Sequence, residues 1–176
     1  MLIKTVFAGF GGQGVLSMGL NLAQAAMAEG KYVTFLPAYG VEVRGGTANC
    51  TVAVSDEEIA SPVASSPEFV VAMNSPSLVR FQNQIAAGGC LLYNSSLIEA
   101  QVLRTDIDVI AIPASRTAEE LGSGKSANMI MLGAFTKRSN LVTLSTLMEQ
   151  LAETLKGKEK LIAVNRKALT VGYGLR

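Results

Sequence analysis

The sequence predicts an α/β protein: a three-layer α/β/α domain over residues 1–176, with a mostly parallel sheet. Two observations carry this prediction. Short apolar runs suited to buried strands alternate along the chain with stretches of helical periodicity. The length of 176 residues suits one domain, and a hydrophobic content of 49% can supply a substantial core. The chain has no internal repeat and no low-complexity linker.

The stretch from Lys4 to Ser17 predicts a buried strand, a glycine turn and the beginning of a helix at about residue 12, which is a Rossmann-like start. Gly9, Gly11 and Gly14 fit the spacing G-x-G-x-x-G, and Gly12 adds a fourth glycine. Such a turn leaves no side chain between the backbone and an approaching group. The free N–H groups at the start of the helix would favour an anion or a carbonyl oxygen.

A dinucleotide site would also need an acidic residue at the end of the second strand, about 20 residues further on. That strand is predicted at 32–36, and it continues into Pro37-Ala38-Tyr39. The first acid afterwards is Glu42, beyond a tyrosine-glycine turn. The ribose-binding element is therefore missing or displaced. This favours a glycine turn used for close packing or partner contact over one that binds a dinucleotide.

The rest of the chain continues the alternation of strands and helices. Further strands are predicted at 47–55, 69–73, 90–94 and 108–113, and further helices at 75–85, 115–121, 128–135, 144–155 and 158–169. The strand at 47–55 follows the second strand without an intervening helix, so it is expected to run antiparallel at or near an edge, which would make the sheet mixed. Asn74 and Ser115 are candidate helix caps, and Asn128 either caps the helix that it opens or points into the cleft.

Composition excludes several classes of function. The net charge of +1 gives no reason to expect nucleic acid or a membrane surface as a partner. The absence of histidine removes the commonest general base, the Ser-His-Asp arrangement and the usual zinc ligand. Cys50 and Cys90 form no C-x-x-C pair, so the chain cannot by itself hold an iron–sulfur cluster, and free buried thiols are expected. Without a signal peptide or a membrane-length apolar run, we expect a cytoplasmic protein.

Arg44 is the least ordinary charged residue. It lies between Val43 and the Gly45-Gly46 pair, just past the carboxyl end of the second strand, where ligands of open α/β sheets gather. An arginine beside glycines can bind a carboxylate or phosphate with two N–H groups, assisted by nearby backbone N–H groups. A structural ion pair with Glu42 is the competing interpretation.

Other candidate motifs fail on spacing. The run Gly122–Ser126 suggests a phosphate loop, but Glu119 occupies the position where the motif needs its first glycine. The adjacent carboxylates of Glu57-Glu58 and Glu119-Glu120 diverge on a helix and suit solvated faces. We therefore predict no catalytic residue and no metal ligand in this chain.

Three motifs together resemble a known family: Gly9-Phe10-Gly11-Gly12-Gln13-Gly14, then the segment from Tyr39 to Gly46, then Asn128 to Gly133. The chain is similar over nearly its whole length to the gamma subunit of 2-oxoacid:ferredoxin oxidoreductases, which matches domain III of the single-chain pyruvate enzymes. Such enzymes oxidatively decarboxylate a 2-oxoacid, transfer the acyl group to coenzyme A and pass electrons to ferredoxin.

The resemblance implies that thiamine diphosphate, Mg and the iron–sulfur clusters lie on partner subunits, with coenzyme A as a co-substrate. The partners would be alpha and beta subunits, with a delta subunit and a homodimer of the isolated chain as further candidates. The form of the Val41–Gly46 segment favours 2-oxoglutarate or a branched-chain oxoacid over pyruvate, with 2-oxoglutarate the leading choice.

Within the resemblance, two groups of residues are expected to face the catalytic subunits near the incoming coenzyme A. They are Gly11, Gly12, Gln13 and Gly14 in the turn, and Arg44, Gly45 and Gly46 in the loop. Two alternatives stay open. One is a free-standing dinucleotide- or nucleotide-binding module, and the other is a purely structural subunit whose turn only packs against its neighbour.

Overall fold

A computed structural model of the protein describes residues 1–39 and 46–175. Its strands are β1 (Leu2–Phe10), β2 (Tyr32–Tyr39), β3 (Thr47–Ser55), β4 (Phe69–Ala72), β5 (Cys90–Asn94) and β6 (Asp108–Ile112). They form one six-stranded sheet in the order β2-β3-β1-β4-β5-β6. The apolar runs in the sequence therefore formed strands as predicted, because alternate side chains of a central strand can be buried on both faces of a sheet.

The sheet is mixed. β1, β4, β5 and β6 run parallel to one another, whereas β3 pairs antiparallel with both β1 and β2. The antiparallel direction of β3 confirms the prediction drawn from its short connection to the second strand. It lies one strand in from the edge, since β2 occupies the edge itself. Phe7, at the centre of β1, is opposite Cys50 on one side and Val71 on the other.

The described ranges also contain six α-helices. They are α1 (Val15–Ala28), α2 (Ser75–Phe81), α3 (Ala114–Glu120), α4 (Ala127–Ser139), α5 (Leu144–Thr154) and α6 (Glu159–Gly174). Asn74 caps α2 as predicted, since its Oδ1 accepts a hydrogen bond from Ser77 N at 2.9 Å. The Ser115 cap is wrong: α3 begins one residue earlier, after Pro113, and the Ser115 hydroxyl accepts a hydrogen bond from Asn94 Nδ2 instead.

The two faces of the sheet are covered differently. One face packs against α1, α3, α4 and α5 in the larger of two hydrophobic clusters, in which Phe135 meets Phe7 edge to face with ring centroids 5.3 Å apart. The opposite face packs against α2, through residues such as Leu78, and against the connection between β5 and β6, through residues such as Ile98. These layers give the three-layer α/β/α arrangement that the sequence predicts. None of the described helices is long and apolar enough to cross a bilayer.

α6 rests on α4, and two glycines permit the contact. A Cβ added at Gly172 would meet the backbone carbonyl of Ile130, with its carbon only 2.7 Å away. A Cβ at Gly133 would likewise lie 2.8 Å from Tyr173 N. The two helices therefore touch backbone to backbone, at a distance that only glycine allows.

Candidate functional site

The site that the sequence singles out lies at the carboxyl edge of the parallel strands. α1 leaves β1 on the face that holds the larger cluster, and α2 leaves β4 on the opposite face. The chain connections therefore diverge between the ends of β1 and β4. In open α/β sheets, this divergence creates the crevice in which ligands bind.

The side chain of Gln13 bridges that crevice. Its Oε1 accepts a hydrogen bond from Phe10 N at 2.7 Å, and its Nε2 donates to Met73 O at 3.2 Å. Asn74 Nδ2, at 3.4 Å, also donates to Gln13 Oε1. One amide thus joins the end of β1 to the end of β4. A Cβ added at Gly9 would lie 2.7 Å from the same Oε1, so a glycine at this position leaves room for the Gln13 amide.

Gly14 serves the packing of α1 against α4. It has a left-handed backbone with φ of 74° and occupies the N-cap position of α1. A Cβ there would overlap the side chain of Asn128, with Cγ only 2.8 Å away. Asn128 Nδ2 in turn donates to Gly14 O at 3.4 Å. Ser126, not Asn128, occupies the N-cap position of α4. The Asn128 side chain nevertheless does both things that the sequence suggested, since its Oδ1 accepts a hydrogen bond from Met129 N in the first turn of α4 at 2.9 Å and its Nδ2 contacts the glycine turn.

The outer surface of the turn consists of Gly11 and Gly12, and both are exposed. Gly12 has φ of 93°, and a Cβ built there meets none of the described atoms within 4 Å. Gly11 N donates to Gly46 O at 3.0 Å, which joins the turn to the start of β3. This is the part of the turn that a ligand or a partner can reach, and it offers peptide groups rather than side chains.

The structure brings together five of the seven predicted site residues. Gly46 lies against Gly11, which places the end of the second motif beside the glycine turn. Arg44 and Gly45 lie outside the described residues, and so do Glu42 and the ion pair considered for it. The turn itself contains no ionisable side chain, so its contribution to binding comes from peptide groups and the beginning of α1.

Sequence reasoning missed a cavity of about 300 Å³ beside the turn, between α1, α4, α5 and α6, which is lined by both polar and apolar side chains. Ser17, Asn21, Lys125, Asn128 and Asn165 are among its lining residues. Asn21 is 4% exposed and donates from Nδ2 to Ser17 O at 2.8 Å. Its Oδ1 has no partner among the described residues. The named residues come from three α-helices and the short turn before α4, so no local pattern in the sequence could have grouped them.

Neither cysteine is a candidate nucleophile. Cys50 is fully buried under Gly19 of α1, and burial raises the pKa of its thiol to about 12. Burial also raises the pKa of the Cys90 thiol, despite the nearby Arg138 guanidinium. A thiol held in its neutral form is a poor nucleophile and a poor metal ligand. No group of three or more His, Cys, Asp or Glu side chains converges in the described part of the chain.

The fold and the site define a mixed α/β domain that presents a peptide-lined glycine turn where its chain connections diverge. Comparison with known proteins identifies the family to which this domain belongs. The model of the pyruvate ferredoxin/flavodoxin oxidoreductase family matches residues 4–175. The chain therefore belongs to that family, and the resemblance drawn from its motifs is confirmed.

Two relatives differ in length. The ketoisovalerate oxidoreductase subunit VorA of Methanothermobacter thermautotrophicus is 41% identical over 172 residues, which cover 97% of this chain and 35% of VorA. The 2-oxoglutarate synthase subunit KorC of Methanothermobacter marburgensis is 37% identical over 155 residues, which cover 84% of this chain and 83% of KorC. The chain thus spans about a third of the length of VorA and most of that of KorC.

Two solved structures share the fold. The 2-oxoglutarate:ferredoxin oxidoreductase of Magnetococcus marinus, with 2-oxoglutarate, coenzyme A and succinyl-CoA bound, has a TM-score of 0.91 and 27% identity, covering 98% of this chain and 30% of that one. The keto/oxoacid ferredoxin oxidoreductase gamma subunit of Geobacter sulfurreducens has a TM-score of 0.83 and 25% identity, covering 97% and 96%. Relatives of this chain are therefore subunits or parts of oxidoreductases.

Proposed function

We propose that this chain is the gamma subunit of a 2-oxoacid:ferredoxin oxidoreductase and supplies the coenzyme A side of its active site. The enzyme would decarboxylate a 2-oxoacid, transfer the acyl group to coenzyme A and pass two electrons to ferredoxin. The family match over residues 4–175 supports the assignment, as does the KorC relative, which is similar to this chain over most of its own length.

The single observation that carries the coenzyme A role is the open surface of Gly11 and Gly12. Coenzyme A combines a diphosphate with the amide groups of pantetheine. Gly11 N already donates to Gly46 O, and Gln13 N donates to Phe10 O, so the diphosphate would meet Gly12 N and the N–H groups at the beginning of α1. Peptide carbonyls of the turn would suit the amides. Gln13 and Gly14 would hold the turn in shape by the contacts described above. Arg44 would supply the positive charge that the turn lacks, and Gly45 and Gly46 would add peptide groups without side chains in the way.

Thiamine diphosphate, Mg and the iron–sulfur clusters belong, in this proposal, to the alpha and beta subunits, with a delta subunit as a further candidate. When bound there, they supply the carbanion chemistry and the electron path. This chain would contribute by orienting coenzyme A and by excluding water from the edge of the sheet that faces those subunits.

Different observations support two substrates. The segment Val41–Gly46 favours 2-oxoglutarate, and the KorC relative and the Magnetococcus marinus enzyme are both named for that oxoacid. The VorA relatives, 40% and 41% identical, are named for ketoisovalerate. Assay of the reconstituted complex with 2-oxoglutarate, ketoisovalerate and pyruvate, each at saturating coenzyme A, would decide by the ratio of kcat/KM values.

The coenzyme A role is tested with Arg44→Ala in the reconstituted complex. Removing a charge that pairs with phosphate should raise the KM for coenzyme A about tenfold or more, while the KM for the oxoacid stays within twofold. Arg116→Ala is the matched control, because Arg116 is an exposed arginine near the carboxyl end of β6. A complex with normal assembly and an unchanged KM for coenzyme A would reject the role and leave a purely structural subunit.

The free-standing nucleotide-binding module is tested on the isolated chain. Equilibrium dialysis with NAD, FAD, ATP and coenzyme A measures each affinity separately. Micromolar binding of NAD or FAD, without any association with alpha and beta subunits, would establish the alternative and overturn the proposed function.

A further inference from the structure

β6 is the outermost strand of the described sheet, and it pairs with β5 alone. Asp108 N donates to Gly89 O at 2.8 Å, and Ile112 O accepts from Ser95 N at 2.9 Å. In a parallel ladder, the N–H and C=O groups of one residue both face the strand on one side, and those of the next residue both face the other side. The N–H and C=O groups of Val109 and Ala111 therefore point away from β5. The edge offers two donors and two acceptors at the spacing of a β-ladder.

The edge also carries little that would prevent pairing. Natural sheet edges are usually protected by proline, by charge, by a bulge or by a covering loop. β6 has the sequence DVIAI and a continuous register with β5, without a bulge. Its one charge, Asp108, is paired with Arg138. Val109 is 42% exposed. An unprotected apolar edge of this kind is a template for another strand.

A groove of about 530 Å³ lies beside this edge, between β6 and the last turns of α4 and α6. It is lined by Ile110, Ile112, Ala134, Lys137, Arg138, Tyr173, Gly174 and Leu175. A strand added to β6 would place every second side chain on this face of the sheet, above the groove. One added strand could therefore pair with the free backbone groups of β6 and place side chains in the groove at the same time.

The charge at the rim decides between two possible occupants. Lys137 has its Nζ 5.0 Å from the ring centroid of Tyr173 and no carboxylate partner among the described residues. If a second copy paired antiparallel about Ile110, the Lys137 side chains of both copies would lie on the same face of the joined sheet, whereas Arg138 is already paired with Asp108. Like charges so placed repel, and a contact of five residues per strand is short for a stable dimer.

We propose that β6 and its groove dock an extended, apolar segment of the alpha or beta subunit, which carries an Asp or Glu to meet Lys137. The proposal rests on the proposed function, because it takes the partner from the same oxidoreductase. It assigns to this chain a strand-addition interface on the side of the sheet opposite to the β2 edge, separate from the glycine turn.

Hydrogen exchange at single-amide resolution tests the pairing directly. In the isolated chain, the amides of Val109 and Ala111 should exchange freely, whereas those of Ile110 and Ile112 should be protected by β5. In the assembled enzyme, the amides of Val109 and Ala111 should slow at least tenfold. An active complex in which both still exchange at the free rate overturns this interface and leaves the proposed function intact.

Two variants test the energetics by titration of the chain with its purified partner subunits. Ala111→Pro removes an outward N–H that β5 does not use, and Lys137→Glu reverses the charge at the rim. Each should weaken binding about tenfold. Lys160→Glu, at an exposed position on the first turn of α6, is the matched control for the charge change.

Thermal melts of the isolated variants separate lost binding from lost folding. Unchanged affinity in both variants contradicts the interface. A concentration-dependent dimer of the isolated chain that protects Val109 and Ala111 contradicts it as well, because the second copy would then be the occupant. A chain that forms no complex at all rejects both this interface and the proposed function.

Discussion

Gly14→Ala tests whether the third glycine of the turn is required by packing between α1 and α4. The new methyl group would sit in a left-handed residue with φ of 74° and overlap the Asn128 side chain, whose Cγ is 2.8 Å away. The left-handed conformation costs an alanine about 1–2 kcal/mol. Displacing the amide of Asn128 loses its hydrogen bond to Gly14 O and some packing, which costs about 1–2 kcal/mol more. We expect a total loss of about 3 kcal/mol in the free energy of unfolding.

Urea denaturation and thermal melting of the isolated chain measure this loss. For a domain of this size, about 3 kcal/mol corresponds to a fall in Tm of roughly 6–12 °C. Gly12→Ala is the matched control, because Gly12 also has a positive φ of 93° but open space around its Cβ. The Gly12→Ala variant should lose only the cost of placing an alanine in a left-handed conformation, which is about 1–2 kcal/mol in the free energy of unfolding.

A double-mutant cycle with Asn128→Ala isolates the overlap. The second substitution removes the amide and leaves only a contact to the Asn128 Cβ, at 3.1 Å. We expect it to recover about 1 kcal/mol or more of the loss caused by Gly14→Ala. Equal destabilisation by Gly12→Ala and Gly14→Ala, with no coupling in the cycle, would refute the packing argument.

Three further predictions follow from the described contacts. Gly172→Ala should destabilise the protein by about 3 kcal/mol or more in urea denaturation because its Cβ would meet the backbone of α4, whereas Gly174→Ala, with open space, should cost less than about 1 kcal/mol. Cys50, with its pKa raised to about 12, should resist iodoacetamide at pH 8 in the native protein and react fully in denaturant; fast native labelling would contradict its burial. Burial alone would raise the pKa of Glu29, but hydrogen bonds from Thr143 and Thr146 and the charge of Lys31 lower it below its usual value. The stability that Glu29 contributes should therefore be present above the ordinary pKa of a glutamate and lost as the pH falls through its lower folded-state pKa. Glu29→Gln should flatten this part of the stability–pH curve, and an identical curve would show that the carboxylate is not involved.

Local signals were enough for most of the fold. Each strand of the sheet came from a run of apolar residues whose burial on one or both faces needs no knowledge of its neighbours. The direction of β3 followed from the length of its connection, because a parallel crossover needs about a dozen residues or more and β3 begins at Thr47, soon after β2 ends at Tyr39. The Asn74 cap followed from the proline after it. Ser115 was misassigned because its hydroxyl group can either cap a helix or form a tertiary hydrogen bond. The sequence does not show that Asn94 lies beside it and donates to that hydroxyl.

The site was only half predictable for a related reason. The sequence shows four glycines, but not which of them faces a side chain and which faces open space. The contact of Gly14 with Asn128 joins residues 114 positions apart, and the bond from Gln13 to Met73 joins residues 60 positions apart. Such contacts depend on how α1, α4 and β4 converge. The cavity beside the turn is likewise lined by residues that are far apart in the sequence, so no local sequence pattern predicts it.

The distribution of roles among the glycines bears on what the turn can bind. In a dinucleotide-binding domain, the ligand crosses the crevice at the point where the chain connections diverge. Here the amide of Gln13 occupies that crevice and joins Phe10 N to Met73 O. A dinucleotide lying across it would have to displace this amide and replace both hydrogen bonds. A ligand that meets only Gly11 and Gly12 from outside leaves the bridge intact. The turn therefore suits a group presented from the outside, as coenzyme A would be at an interface between subunits, better than a cofactor enclosed within the domain.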